Sequence, residues 1–162
     1  MTYTDDDLAQ LISCAKRILQ APKKEMRTEG QMQRNEMTIE SLDGRHQFRV
    51  YLRQSLQFSE NFSIGLDYVP TDEPGTFCLL RCNGMHGAHR IHPHHLHYHI
   101  HRCKADDVNA GLRDARYVEV TKEYAAFRDA LSYFLLRVNV QSADRSQYFP
   151  GITQPDLFDG EA

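Results

Sequence analysis

The sequence lacks the features that mark several classes of protein. None of its apolar runs approaches the ~20 residues that a membrane-spanning helix needs. Its first seven residues are polar and acidic, whereas a secretory signal begins with a basic and then an apolar stretch. Four cysteines are too few for the disulfide scaffold of a secreted protein, so we expect reduced thiols. These absences predict a cytoplasmic protein without a membrane partner.

The sequence also has no excess of positive charge. Its formal net charge is −3 with histidine neutral, which excludes a basic coat for nucleic acid over the whole surface. The 162 residues include 41% hydrophobic and 25% charged residues, which is the composition of a globular chain of about one domain. We expect a single domain over 1–140 and an irregular, loosely held acidic tail over 141–162.

Hydrophobic periodicity predicts an α+β fold. One apolar stripe runs along 4–20, with Thr4 as a plausible N-cap, and predicts an N-terminal helix. Helical spacing from Thr121 to Val138 predicts a C-terminal helix, with a turn over 117–121 leading into it. The stretches that predict strands are 46–53, 61–68, 76–82 and 95–101, with a further strand ending near Ile39. We therefore expect one antiparallel sheet of four or five strands with both helices packed on one face.

Histidine is the residue in excess. Eight of the nine histidines lie between His86 and His101, and those at the end of this segment alternate with apolar residues. The alternation predicts that Leu96, Tyr98 and Ile100 are buried while His97, His99 and His101 share the opposite face. Two imidazoles at this spacing can ligate one metal ion, or they can hold a phosphate and act as general base and general acid.

The segment around the histidines is basic. No Asp or Glu lies between Pro74 and Ala105, whereas the segment has four positive residues, Arg81, Arg90, Arg102 and Lys104. Such a patch attracts an anion and disfavours a site for a hard cation. Arg49 and Arg53 on another strand can extend the patch if that strand is adjacent.

Cys82 and Cys103 flank the cluster. With His86 and one strand histidine they can form a tetrahedral zinc site, although their spacing matches no standard zinc motif. Buried cysteines that act as small apolar side chains are the favoured interpretation.

Four segments of the chain, 62–66, 79–89, 99–102 and 116–140, resemble an uncharacterised family of small bacterial proteins. That family has an Arg-x-Asn-Gly-x-His-Gly segment, a His-x-His-Arg segment and a closing helix. The positions that match are Arg81, Asn83, Gly84, His86, Gly87, His89, His99, His101 and Arg102. This chain departs from the pattern by four additional histidines, His92, His94, His95 and His97. More distantly, residues 81–101 are similar to the TumE-like toxins of bacterial toxin–antitoxin pairs.

The toxin resemblance implies, by analogy, a role directed at RNA or nucleotides and an antitoxin-like protein partner. We predict a metal-independent ribonuclease or phosphodiesterase. Its predicted catalytic residues are His99, His101, Arg81 and His86, and its predicted substrate-binding residues are Asn83, His89, Arg102 and His97.

Two other functions stay open at this point. One is a non-catalytic module that binds zinc, nickel or copper through His97, His99, His101 and His86. The other is a partner-binding protein whose basic patch docks an acidic protein or a nucleic acid.

Overall fold

A computed structural model describes residues 2–85 and 97–152 of the chain. The predicted α+β class with one antiparallel sheet is confirmed, but the described residues form eight strands where four or five were expected. In chain order the elements are α1 (Asp5–Ser13), β1 (Lys16–Gln20), β2 (Arg27–Glu29), β3 (Met32–Ser41), β4 (Gln47–Ser55), β5 (Phe62–Val69), β6 (Phe77–Asn83), β7 (His99–Arg102), α2 (Ala105–Asn109), β8 (Tyr117–Val120), α3 (Phe127–Arg137) and α4 (Ser142–Tyr148).

The sheet is largely a meander. Its strand order is β1-β3-β4-β5-β6-β7-β8, with β2 paired to β3, and every strand pair is antiparallel. The strands on either side of the histidine segment, β6 and β7, are neighbours in this order.

The hydrophobic core lies against one face of this sheet. Alternate residues of β4 are buried, as its sequence pattern predicts, whereas in β5 every residue from Phe62 to Leu66 is buried. The buried residues of α1 and α3 belong to the same apolar cluster as those of β3 to β7. Its largest fully buried apolar side chains are Phe48, Phe62, Phe134, Leu8, Met37, Ile39, Ile64, Leu66, Leu79, Leu80 and Leu135.

The N-terminal helix is shorter than the sequence predicts. Thr4 does cap it, in a capping box with Asp7, but α1 ends at Ser13 and Cys14 is extended. Residues from Lys16 onward form β1, where Ile18 pairs with Ile39 of β3. The continued apolar spacing that predicted a helix to residue 20 arises from a strand that contributes to the same core.

The segment between the histidines and the C-terminal helix was also predicted incorrectly. Residues 117–120 form the edge strand β8, whereas the sequence predicted a turn. The helix that was expected from Thr121 begins at Phe127. At Thr121 the chain still follows β8, since its backbone N–H donates to the carbonyl of Tyr98.

The chain after residue 140 is more ordered than the sequence predicts, as far as the structure describes it. Helix α4 spans Ser142–Tyr148, and Phe149 is buried in the core. The Asp144 carboxylate accepts a 2.7 Å hydrogen bond from the backbone N–H of Ile18. The remainder of the predicted tail, 153–162, lies outside the described residues. Over the described ranges, no helix has the length and apolar character to cross a membrane.

Candidate active site

Polar residues of three neighbouring strands meet on the sheet face opposite the core. Strand register places Ser63, Asn83 and His99 side by side across β5, β6 and β7. The next register position on this face aligns Gly65, Arg81 and His101. We call this surface the histidine face; it consists of Ser63, Gly65, Arg81, Asn83, His99 and His101.

The burial of β7 matches the predicted alternation in part. Ile100 is buried and Tyr98 is half-buried against the core, while His99 and His101 share the opposite face. Those two histidines are not solvated, however, since their residues are only 0% and 9% exposed. His97 precedes β7 and is exposed, and Leu96 lies outside the described residues.

A chain of hydrogen bonds orients His99. The Ser63 hydroxyl donates to Asn83 Oδ1 at 2.7 Å, which turns Asn83 Nδ2 toward His99 Nε2 at 3.4 Å. His99 Nδ1 lies 2.8 Å from the carbonyl oxygen of His97. Because the amide and the carbonyl fix the donor and acceptor sides of the ring, this arrangement fits a neutral imidazole with its proton on Nδ1.

His101 is oriented by the loop that precedes β8. Its Nδ1 lies 3.0 Å from the carbonyl oxygen of Ala115, so Nδ1 donates and Nε2 is the basic nitrogen. The ring contacts that of His99 edge to face, with 5.0 Å between the ring centroids. The two imidazoles are therefore close enough to influence each other's protonation.

Arg81 brings a positive charge to the same face. It is the direct cross-strand partner of His101, and opposing residues of an antiparallel pair lie ~5 Å apart. It is half-buried, and its Nε is buried with no hydrogen-bond partner within residues 2–85 and 97–152. A buried donor of this kind carries a free-energy cost that an anionic ligand can offset.

Arg53 extends the positive charge along the sheet. Strand β5 separates β4 from β6 and β7, but Ser63 of β5 belongs to the histidine face and Arg53 pairs with it, so the condition for extending the patch is met through β5. Burial lowers the pKa of Arg53, and the positive charges of Arg34 and Arg81 lower it further. Arg34 faces Arg53 across β3 and β4, and its Nε lies 2.8 Å from a Glu29 carboxylate oxygen.

Tyr51, Asp67 and Cys78 are neighbours of the histidine face that sequence reasoning missed. The ring of Tyr51 covers Gly65, where a side chain would collide with it. Burial raises the pKa of Asp67, whose carboxylate pairs with Arg49 at 3.4 Å, and raises that of Cys78 to about 12. The signal was present, because strand alternation placed Tyr51 and Asp67 among the polar positions of β4 and β5.

Several predicted site residues are not brought together. Arg102 was predicted to bind substrate, but it pairs with Leu80 and so belongs to the opposite face of the sheet from His101. The side chain of His97 is exposed, although its carbonyl orients His99. The other predicted residues, His86 and His89, and the additional His92, His94 and His95, lie outside the described residues.

The described residues contain no group of three His, Cys, Asp or Glu side chains placed to hold a metal ion. Cys82 and Cys103 are buried free thiols, as the favoured interpretation predicted, and burial raises the pKa of each to about 12. Since Cys82 pairs with Ile100, it lies on the core face and not beside His99 and His101.

Comparisons of the chain with protein-family models, with curated proteins and with solved structures find no match. The resemblance to the small bacterial family and to the TumE-like toxins therefore stays a prediction.

Proposed function

We propose that the protein cleaves phosphodiesters without a metal ion, using the histidine face as its active site. The observation that carries this proposal is the position of Arg81, directly across from His101 and beside His99, with an unsatisfied buried Nε. Within the described residues, no carboxylate lies within ion-pairing distance of Arg81. A phosphate is the anion whose geometry suits such a guanidinium.

The two imidazoles divide the proton transfers. In RNA, one imidazole accepts the proton of the 2′-hydroxyl as its oxygen attacks phosphorus, and the other donates a proton to the leaving 5′-oxygen as the P–O bond breaks. His101 Nε2 is suited to the first role, since Nδ1 is held by the carbonyl of Ala115. His99 takes the second role once it is protonated.

Arg81 stabilises the charge that develops on the phosphoryl oxygens, and Arg53 adds a second positive charge along the face. An RNA-directed activity of this kind agrees with the function implied by the resemblance to the TumE-like toxins. The antitoxin-like partner implied by the same resemblance is part of this proposal.

A metal-binding module is the second candidate. It is favoured by the way both imidazoles turn Nδ1 to a backbone carbonyl, which is the arrangement that metal-ligating histidines use. The neighbouring arginines oppose it, because each of them repels a divalent cation.

The test is cleavage of a labelled RNA oligonucleotide, and of DNA of the same sequence, by protein purified without a histidine tag. We expect cleavage of RNA but not DNA, unchanged by EDTA and leaving a 2′,3′-cyclic phosphate. His101→Ala should lower the rate by about 10²–10⁴-fold, the usual contribution of general acid–base catalysis. Arg81→Lys should retain more activity than Arg81→Gln.

The matched control is His46→Ala, because His46 is not part of the histidine face. Its Nδ1 is hydrogen-bonded to Tyr68 Oη at 3.0 Å. Thermal unfolding of each variant separates loss of catalysis from loss of fold. Cleavage that requires added metal, or that survives His101→Ala in a folded protein, would contradict the proposal.

A further inference from the structure

A concave groove lies beside α1, on the side of the sheet opposite the histidine face. Its volume is about 430 Å³, within the range of small-molecule sites. We call it the α1 groove; the residues that line it are Asp5, Leu8, Ala9, Ile12, Ser13, Arg102, Cys103, Lys104 and Arg137. Because it shares no residue with the histidine face, an inference about it does not depend on the proposed phosphodiesterase.

The charges of the α1 groove are unbalanced. Three cationic side chains, Arg102, Lys104 and Arg137, line it together with one carboxylate, that of Asp5. The Asp5 carboxylate is already engaged, since it accepts a 2.8 Å hydrogen bond from the backbone N–H of Ala105. The groove therefore has an excess of positive charge.

The contacts of the cations leave them able to bind a ligand. Arg102 lies 3.4 Å from the Glu119 carboxylate, and the side chains are 43% and 55% exposed, so this pair contributes little. Lys104 lies over the ring of Tyr117 at 4.2 Å, a contact that does not neutralise its charge. Arg137 donates from one nitrogen, Nη1, to the Tyr133 hydroxyl at 2.6 Å. A guanidinium has five N–H donors, so Arg137 retains capacity for an anion.

Part of the wall that α1 contributes to the groove is apolar. Leu8, Ala9 and Ile12 recur at helical spacing along α1 and line this wall. Leu8 and Ile12 belong to the hydrophobic core, whereas Ala9 is exposed. An inorganic anion can use the cations but not this wall, and a neutral apolar molecule can use the wall but not the cations.

We propose that the α1 groove binds a small amphipathic anion, a molecule with one acidic headgroup and an apolar body. The headgroup, a carboxylate in the simplest case, lies between Arg102, Lys104 and Arg137. The apolar body lies along Leu8, Ala9 and Ile12. A single ligand of this kind pairs with the cations through its headgroup and contacts the apolar residues through its body.

The test uses three probes that separate the two parts of the ligand: decanoate, decanol and acetate. Binding to the full chain is measured by isothermal titration calorimetry and by two-dimensional NMR. We expect decanoate to bind at least tenfold more tightly than decanol, and acetate to give no measurable binding. The NMR signals that shift should include Ala9 and Lys104.

Variants of the groove test both walls. Arg137→Gln and Lys104→Gln should each weaken decanoate binding at least threefold and leave decanol unaffected, whereas Ala9→Trp should block both probes. Lys122→Gln is the matched control, an exposed lysine that does not line the groove. Equal affinity for decanoate and decanol, or decanoate binding that Lys104→Gln and Arg137→Gln leave unchanged, would overturn the proposal.

Discussion

Lys16 is the most unusual residue of the core. It is fully buried, and its Nζ donates to the carbonyl oxygens of Ile12 at 2.7 Å and of Cys14 and Val138 at 2.8 Å. The first and last of these carbonyls belong to the C-terminal ends of α1 and α3, where the helix dipoles favour a positive charge. One ammonium group thus satisfies carbonyl groups at the ends of two helices. This explains how α1 can end and β1 begin within three residues.

We expect Lys16→Met to lower the free energy of unfolding at pH 7 by about 2–4 kcal/mol, because it leaves three buried carbonyl groups without a donor. Chemical denaturation measures the change. Lys122→Met, an exposed lysine, is the control and should change stability by less than ~0.5 kcal/mol. A Lys16→Met protein as stable as the wild type would show that the three hydrogen bonds do not stabilise the fold.

The protonation of Lys16 also makes stability depend on pH. Burial lowers its pKa from the ordinary value of 10.5 to about 8, so between these pH values the unfolded chain holds a proton that the folded protein has released. Stability contributed by this group therefore rises with pH across that window. The buried thiols act in the opposite direction, since burial raises the pKa of Cys78, Cys82 and Cys103 to about 12 and only the unfolded chain ionises near pH 9.

These opposing effects give a specific prediction. The stability of the wild type should fall above about pH 9, because three thiols outweigh one lysine. The difference in stability between the wild type and Lys16→Met should instead grow from pH 8 to pH 9.5. Denaturation curves at four pH values in this interval measure both quantities. A difference that stays constant or shrinks would contradict the lowered pKa of Lys16.

At the scale of the elements, strand periodicity was the informative signal. Strands β4, β5 and β6 were predicted within two residues of their ends. The sequences of β4 and β5 alternate strictly, which has no helical counterpart, and β6 is a short apolar run typical of a buried strand. The helix predicted over 4–20 was wrong, since the apolar stripe of α1 continues in phase into β1. Burial of Lys16 cannot be inferred from periodicity, because its partners are backbone carbonyls, and one of them, that of Val138, is distant in sequence.

The pairing of β4 with β5 depends on the absence of a side chain at Gly65. A Cβ at this position meets the ring of Tyr51, its direct cross-strand partner. We expect Gly65→Ala to destabilise the protein by about 1–3 kcal/mol, the usual cost of overpacking. Adding Tyr51→Ser should recover part of that loss, and a double-mutant cycle measures the coupling.

Gly84→Ala is the contrasting variant for this experiment. A Cβ at Gly84 meets the backbone carbonyl of Glu60, which cannot move aside as a tyrosine ring can. Tyr51→Ser should therefore give no recovery in the Gly84→Ala background. Recovery there, or none for Gly65→Ala, would show that the Tyr51–Gly65 contact is not the source of the cost.

At the scale of the whole molecule, part of the histidine face could be predicted from the sequence. Period-two spacing in β7 indicated that His99 and His101 share a face, and the basic segment around them indicated nearby positive charge. Arg102, which was predicted for the same site, lies on the opposite face of the sheet. The size of the sheet could not be predicted, because the three missed strands, β1, β2 and β8, have three to five residues each and are recognised only by their pairing with β3 and β7. The contribution of Arg53 depends on strand order, which local patterns do not contain.

Charge separation within the molecule leads to the last prediction. The protein has a net charge of −3, yet the histidine face holds Arg81 and two imidazoles, so we expect it to bind an anion against the overall field. Sulfate is the suitable probe, because its charge is constant between pH 5.5 and pH 8. A bound anion favours protonated imidazole, so linkage requires its affinity to rise as the pH falls.

We expect calorimetry at constant ionic strength to show sulfate binding about tenfold tighter at pH 5.5 than at pH 8. His101→Ala should remove the pH dependence, Arg81→Gln should remove most of the binding, and His46→Ala should change neither. A metal site has the opposite dependence, since imidazole must lose its proton before it can ligate zinc. Zinc affinity that rises with pH, together with no sulfate binding at either pH, would contradict the phosphodiesterase and favour the metal-binding module. The two functions exclude each other at a given pH, because the same two imidazoles cannot be protonated to bind an anion and neutral to bind a cation.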